Sequence, residues 1–438
     1  MDSARSAASG LSGGDPSAPA SPVQAAPVHA GTGTGDAAPS AGPSAAPFAG
    51  PGGFAGFGGG RPVVLQLTPA LESGGVERGT IEIAQALTRE GATSLVASRG
   101  GRMERMLERA GGRLVRLDIG AKNPLAIRRN AAALERILRE ERVDIVHARS
   151  RAPAWAGWLA ARRAGVPFVT TWHGDYSENF PGKRFWNGIM ARGRPTIAVS
   201  EFIADTIRTR HPEADLVVIP RGADLAQFDP LTIQGARSAG LAERWGLADD
   251  PRPVVMLPGR LTRWKGQSHF IDAAAKLRAL RGGEDFVFLM VGDDPDSAYG
   301  RELAERIRSQ GLTGCCAMAG HCDDMAAALK LASVVVSASM EPEAFGRVAV
   351  EAQAMGRPVI ATDHGGARET VDEGRTGWRY PPGDADALAA AANRALDLDV
   401  SAREHMAMAG RARIMQRFST EAMQRATLQV YADVLARG

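Results

Sequence analysis

The feature that most constrains this chain is an alternation of short apolar runs with longer amphipathic stretches, begun at Arg61 and begun again near Pro253. Residues 62–67 read as an apolar strand, closed by Thr68, Pro69 and a turn at Gly74 and Gly75. Val76, Ile81, Ile83, Ala84 and Leu87 then fit one buried face of a helix. Residues 93–98, 143–147, 167–171 and 196–200 read as further strands, with helical stretches at 126–139 and 153–163. In the second half, residues 254–257, 286–291, 334–336 and 358–361 are buried-strand candidates, again separated by helices. Such alternation implies βαβ units and parallel sheets with helices on both faces. The expected fold is α/β, with two doubly wound, Rossmann-like domains facing a cleft. The first spans residues 61–225 and the second 226–420, joined by a link at 225–251, with a last helix at 421–438. Ligands in such folds sit beyond the carboxyl ends of the strands, so the cleft is the expected site.

Residues 1–60 are built from Ala, Pro, Gly and Ser, with Phe48, Phe54 and Phe57 as aromatics. A segment of that composition buries too little apolar area to offset its ordering entropy and is expected to be a disordered tail. Gly31, Gly33 and Gly35 superficially match a dinucleotide loop, but no strand precedes them and no amphipathic helix follows. The rest of the chain supports a packed core, since 44% of all residues are hydrophobic. No run of about 18 apolar residues suggests a spanning helix, and the N-terminus lacks the pattern of a secretory signal. Cys315, Cys316 and Cys322 cannot form a disulfide framework and lack the paired clusters of a zinc site. They are expected to be buried thiols in a reducing compartment, which places the protein in the cytoplasm.

The formal charge of +3 is unevenly shared: about +8 on the first ordered domain, about −3 on the second and about −2 on the tail. Arg99, Arg102, Arg105, Arg109, Arg113 and Arg116 crowd one stretch, with Arg128 and Arg129 close behind. They read either as a solvated helical face or as a surface drawn to anionic lipid headgroups or a phosphorylated acceptor. Nucleic acid is disfavoured, because no stacking aromatics are interleaved with them.

Several strand-end clusters carry chemistry. Residues 258–266 follow a strand and bring Arg260 and Lys265 beside a glycine-permitted turn into a helix, a good clamp for a diphosphate. Glu343 and Glu351 stand eight residues apart, straddling a loop and the first turns of a helix. Glu351 can accept from a vicinal diol such as ribose, Glu343 can meet sugar hydroxyls, and free N–H groups around Gly346, Arg347 and Val348 can point at phosphate. Glu341 rivals Glu343 for the first role, but Phe345, Gly346 and the spacing favour Glu343. His173 stands at a strand terminus beside Gly174, placed to contact a polar ligand, although a lone histidine is more often structural. Residues 73–79 form a glycine loop opening a helix, and residues 219–224 a similar strand-end turn.

Together these residues resemble the family-4 retaining glycosyltransferases, which have the GT-B fold. The resemblance runs from Arg61 to the end of the chain and rests on the Gly-Arg-Leu…Lys-Gly segment at 259–266, the two glutamates with Phe-Gly after the first, and Gly365, Gly366 and Glu369 behind them. It implies that Arg260 and Lys265 hold the donor diphosphate, Glu351 the ribose and Glu343 the donor sugar. It also implies that His173 sits near the reaction centre, Gly75 lines the phosphate side, and the last helix crosses back onto the first domain. Arg221 departs from the pattern, standing where an Asn is commoner. Residues 172–184 look most like enzymes of bacterial lipopolysaccharide core synthesis.

The expected reaction is transfer of a sugar from a nucleotide-diphosphate sugar to a glycan or glycolipid hydroxyl, with retention, without a metal and with no cofactor beyond the co-substrate. Charge growing on the leaving diphosphate would be met by Arg260, Lys265 and helix N-termini. Base recognition would use backbone around residues 320–322. Peripheral contact of the basic first domain with the inner face of the cytoplasmic membrane is a further expectation. A glycosidase also uses paired carboxylates but leaves Arg260 and Lys265 unexplained. A dehydrogenase lacks its strand-borne glycine fingerprint. The alternative from another class is a catalytically silent, nucleotide-binding partner of another transferase.

Overall fold

The computed structural model describes residues 56–72, 74–179 and 182–437. Most of the tail therefore lies outside the described residues, as do the Gly31–Gly35 match, Ser73 of the glycine loop, and Phe180 and Pro181.

The first domain runs β1 (Val63–Leu67), α1 (Gly75–Arg89), β2 (Thr93–Ser98), α2 (Glu104–Arg109), β3 (Arg113–Arg116), α3 (Pro124–Glu140), β4 (Ile145–Ala148), α4 (Arg151–Ala164), β5 (Phe168–Trp172), α5 (Lys183–Asn187), β6 (Thr196–Ala198), α6 (Glu201–Arg210) and β7 (Leu216–Val218). The second runs α7 (Gly235–Arg244), β8 (Val254–Pro258), α8 (Gln267–Arg281), β9 (Val287–Val291), α9 (Ala298–Ser309), β10 (Cys316–Met318), α10 (Met325–Leu331), β11 (Val334–Ser337), α11 (Arg347–Ala354), β12 (Val359–Thr362), α12 (Ala367–Thr370), β13 (Gly377–Tyr380), α13 (Ala385–Leu396) and α14 (Val400–Arg417), before α15 (Thr420–Ala436) ends the chain.

The first sheet has the order β3-β2-β1-β4-β5-β6-β7 and the second β10-β9-β8-β11-β12-β13, and every pair in both is parallel. Central strands such as β4, β5, β8 and β9 are buried along their whole length, as sheets covered on both faces require. Each sheet reverses direction once, between β1 and β4 in the first and between β8 and β11 in the second. The loops after these four strands are where a ligand of this architecture is held.

α15 packs against the first domain. Met423, Leu428, Tyr431 and Val434 share a buried cluster with Val64, Ile83 and Ile145, and Gln424 donates to the Glu82 carbonyl at 2.7 Å.

Two expectations need correcting. Phe57, read as part of the tail, packs against that same cluster, so order begins before Arg61. Arg113 and Arg116 lie on the edge strand β3, not on a helical face, because Gly111 and Gly112 end α2's segment. They pair with Glu141 and Glu104, while Arg102 pairs with Glu72, so part of the arginine stretch is neutralised within the fold. The link contains α7, whose Ser238 donates to the Ala327 carbonyl of α10 and whose Arg237 pairs with Asp324 at 2.7 Å.

Candidate active site

On the second domain, the loop after β8 carries Arg260 exposed and Lys265 partly buried. Gly266 follows at φ 76°, and a Cβ there would lie 2.0 Å from the Ala338 carbonyl oxygen. Glycine thus lets this loop press against the loop after β11. The result is a close ion pair: Lys265 Nζ stands 2.6 Å from Glu343 Oε1 and 4.3 Å from the centre of the Trp264 ring. Ser339 donates to the same carboxylate, and Ser337 does so at 3.4 Å. Burial pushes the Glu343 carboxyl up, but the Lys265 charge and the three hydrogen bonds outweigh it, so its pKa falls below the ordinary value. Glu341 is exposed, in keeping with Glu343 as the site carboxylate.

Gly346 caps α11 in the left-handed region, with Arg347 and Val348 in its first turn. Arg347 reaches one turn along to Glu351 at 3.0 Å. Behind this loop, Gly366 N–H donates to the Glu343 carbonyl at 2.8 Å, fixing the backbone from which the carboxylate projects.

The first domain faces these groups through the loops after β1, β4 and β5. A Cβ on Gly75 would lie 3.7 Å from Cδ of Arg347, so α1 opens directly against α11. Glu77 in α1's first turn is pushed up by burial and drawn down by the Arg260 charge, which puts Arg260 on this side too. His173 follows β5, and its Nε2 is buried with no partner. Burial, reinforced by the Arg221 and Arg149 charges, holds its pKa well below the ordinary value, so the ring is neutral near pH 7. Arg221 bridges the parts: its Nη2 donates to the Gly75 carbonyl at 2.7 Å.

The residues singled out from sequence therefore meet in one zone. Lys265 and Glu343 form one pair, and Arg347 and Glu351 another. Gly75 abuts Arg347, and His173 lies within reach of the Arg221 charge. Sequence reasoning missed Arg149, and it noted Arg221 and Glu369 without giving them roles. Glu369 accepts from the N–H groups of Glu201 at 2.9 Å and Phe202 at 2.7 Å, so a second-domain carboxylate caps α6 of the first. Its place behind Gly365 and Gly366 was visible, but its partner lies more than 160 residues away. Ser200 Oγ adds a second link, donating to the Ala344 carbonyl at 2.5 Å.

Two facing parallel-sheet domains with paired acids and cations at their switch points define a nucleotide-sugar-dependent glycosyltransferase of GT-B type. Residues 73–227 match Glycosyltransferase Family 4, and residues 252–397 match Glycosyl transferases group 1. An alpha-D-kanosaminyltransferase from Streptomyces kanamyceticus is 32% identical over 289 residues, 62% of this chain and 72% of that protein. The crystal structure of a glycosyltransferase from Rickettsia africae superposes with a TM-score of 0.80 at 34% identity, covering 86% of this chain and all of the other. HepE of Anabaena in complex with UDP-glucose superposes at 0.72 with 26% identity, covering 85% and 99%. The chain belongs to the family-4 glycosyltransferases.

Proposed function

We propose that the protein transfers a sugar from a nucleotide-diphosphate donor to a glycan or glycolipid hydroxyl with retention at the anomeric carbon, as a step in lipopolysaccharide or other cell-envelope polysaccharide synthesis. The observation that carries this reading is the Lys265–Glu343 pair set against the Arg347–Glu351 pair, opposite the glycine-opened start of α1. Donor phosphates entering there take over Arg260, Lys265 and the free N–H groups of Gly346, Arg347 and Val348. Glu351 accepts from the ribose and Glu343 from the sugar. As the anomeric bond breaks, charge builds on the leaving diphosphate, and these fixed cations stabilise it without reorganising. In this reading they also serve in place of a divalent metal. The neutral His173 is placed to hydrogen-bond the transferring sugar. The acceptor hydroxyl attacks from the face the leaving group vacates, within a short-lived ion pair, and passes its proton to the departing diphosphate oxygen. HepE, solved with UDP-glucose, supports a nucleotide-sugar donor. The likeness of residues 172–184 to lipopolysaccharide core enzymes supports the envelope role, and the basic first domain supports work at the inner face of the cytoplasmic membrane. No helix among the described residues is long and apolar enough to cross a membrane.

The test is thermal unfolding with UDP, GDP, ADP, CMP and their common sugar conjugates. A ligand at 100 times its Kd adds about 2.7 kcal/mol, a midpoint shift of a few degrees. One base series is expected to stabilise the protein, and Lys265→Ala to abolish the shift. With the conjugate so identified, Glu343→Ala is expected to lose turnover while keeping nucleotide binding, and turnover is expected to survive EDTA. No stabilisation by any nucleotide would overturn the reading.

A further inference from the structure

Arg149 and Arg221 are 2% and 7% exposed, and neither lies within ion-pair distance of a carboxylate among the described residues. Their hydrogen-bond partners are neutral. Arg149 Nε donates to Gln66 Oε1 at 2.8 Å, and Arg221 donates to the Gly75 carbonyl and, at 3.2 Å, to the Met423 sulfur. Glu82 is the acid whose charge reaches both. Arg149 Nη2 is buried without any partner, and so is Nε2 of His173, which feels both guanidinium charges. Buried cations left without a counter-charge are costly, and an anion seated between them would offset that cost.

The seat is built to hold these groups. A Cβ on Gly79 would fall 1.6 Å from Arg221 Nη2, so only glycine at this point of α1 admits the guanidinium. Arg149 follows β4, whose switch with β1 is where this sheet receives ligands, and its N–H bonds the Leu67 carbonyl at 3.0 Å. In the transferase reading the donor diphosphate already has Arg260, Lys265 and the N–H groups at the start of α11 on the opposite domain, while the Arg347 guanidinium pairs with Glu351. Two further buried arginines call for a second negative group.

Resting on the transferase reading above, we propose that Arg149, His173 and Arg221 form a second anion site, which takes a carboxylate or phosphate carried by a substrate outside the donor diphosphate. That oxyanion is either the C6 carboxylate of a uronic acid being transferred or a phosphate on the acceptor sugar.

Binding to the full chain tests it in two arms, using the nucleotide that the thermal scan selects. In the donor arm the nucleotide conjugates of glucose and glucuronic acid are compared. In the acceptor arm glucose and glucose 6-phosphate are added to protein saturated with the nucleoside diphosphate. In one arm the charged member is expected to bind about tenfold tighter than its neutral partner, the gain from a charge-assisted contact. Arg149→Gln and Arg221→Gln are expected to reduce that preference to near parity while nucleotide binding persists. The arm that responds names the source. No preference in either arm, or a preference that survives both variants, overturns the proposal. Should the variants not fold, the His173 ring resonances of the nucleotide-saturated wild type decide. They are expected to shift with glucuronate or inorganic phosphate, and silence to both overturns the site. Loss of nucleotide binding belongs to the Lys265→Ala variant, so failure of the transferase reading is seen separately.

Discussion

Glu343 is a carboxylate pulled two ways, upward by its burial and downward by Lys265, Ser337 and Ser339. Removing the ammonium takes away the largest opposing influence and leaves only the two serine hydrogen bonds against burial. Lys265→Ala should therefore destabilise the fold by about 2 kcal/mol, since a mostly buried charge loses its partner, whereas Glu343→Gln with Lys265 intact should cost less because the amide still accepts. Because the folded Glu343 pKa lies below its unfolded value, this contribution is present above the ordinary carboxylate range and is lost as pH falls through the folded value. Urea titrations of wild type and Lys265→Ala should thus differ by a constant amount near neutral pH and converge in acid; a gap unchanged at pH 3 would contradict the pairing. At this scale residue type and local spacing in the sequence singled out Lys265, Glu343 and Glu351, which the fold holds in ion pairs. The sequence was silent on Arg149, whose meaning lies in burial and an orphaned nitrogen, neither of which has a sequence signature.

α15 returns to the first domain through His147, whose Nδ1 lies 2.5 Å from the Tyr431 hydroxyl and whose Nε2 lies 2.7 Å from Thr171 Oγ1. Burial, with the charge of Arg149 next, keeps this ring neutral far below the ordinary histidine range. The unfolded chain binds a proton that the folded one refuses, so stability is full above about pH 6.5 and declines as pH falls, by about 1.4 kcal/mol per pH unit for each such ring. His147→Gln should make the dependence between about pH 6.5 and 5 shallower, leaving the contributions of His173 and His211, which burial also shifts down. An unchanged slope would mean that His147 already titrates normally in the folded state. Elements were legible where apolar runs were long, as in β1, β2, β8 and β9. They were not where a strand is three or four residues with exposed or mixed side chains: β3 is flanked by Arg113 and Arg116, β7 is only half-buried, and β10 is Cys316, Ala317 and Met318. Those strands form because a neighbour offers a parallel ladder, a tertiary cause with no local pattern. α7 was hidden likewise, its buried side being Ser238, Leu241 and Ala242.

Across the whole molecule, one short stretch serves both domains. Gly366 holds the backbone of Glu343, and three residues on Glu369 holds α6 of the facing domain through two N–H groups. A carboxylate at a helix N-terminus is favoured by the helix dipole and by the unpaired amides there, an interaction of about 1 kcal/mol. Burial pushes the Glu369 pKa up, partly offset by those amides, so the cap loses its charge at a higher pH than an exposed glutamate would. Donor site and domain pairing are thereby coupled. Glu369→Ala should leave nucleotide affinity within about threefold, because none of the groups proposed to clamp the diphosphate is touched, yet lower kcat and raise the share of donor lost to water, since a looser cleft admits solvent. Small-angle scattering of the nucleotide-bound variant should show a larger radius of gyration than wild type, and Glu369→Gln, which keeps an acceptor oxygen for one amide, should fall between the two. A Glu369→Ala protein that matches wild type in scattering and in the ratio of hydrolysis to transfer would show that the other contacts, Ser200 with Ala344 and α15 with α1, suffice to hold the domains together.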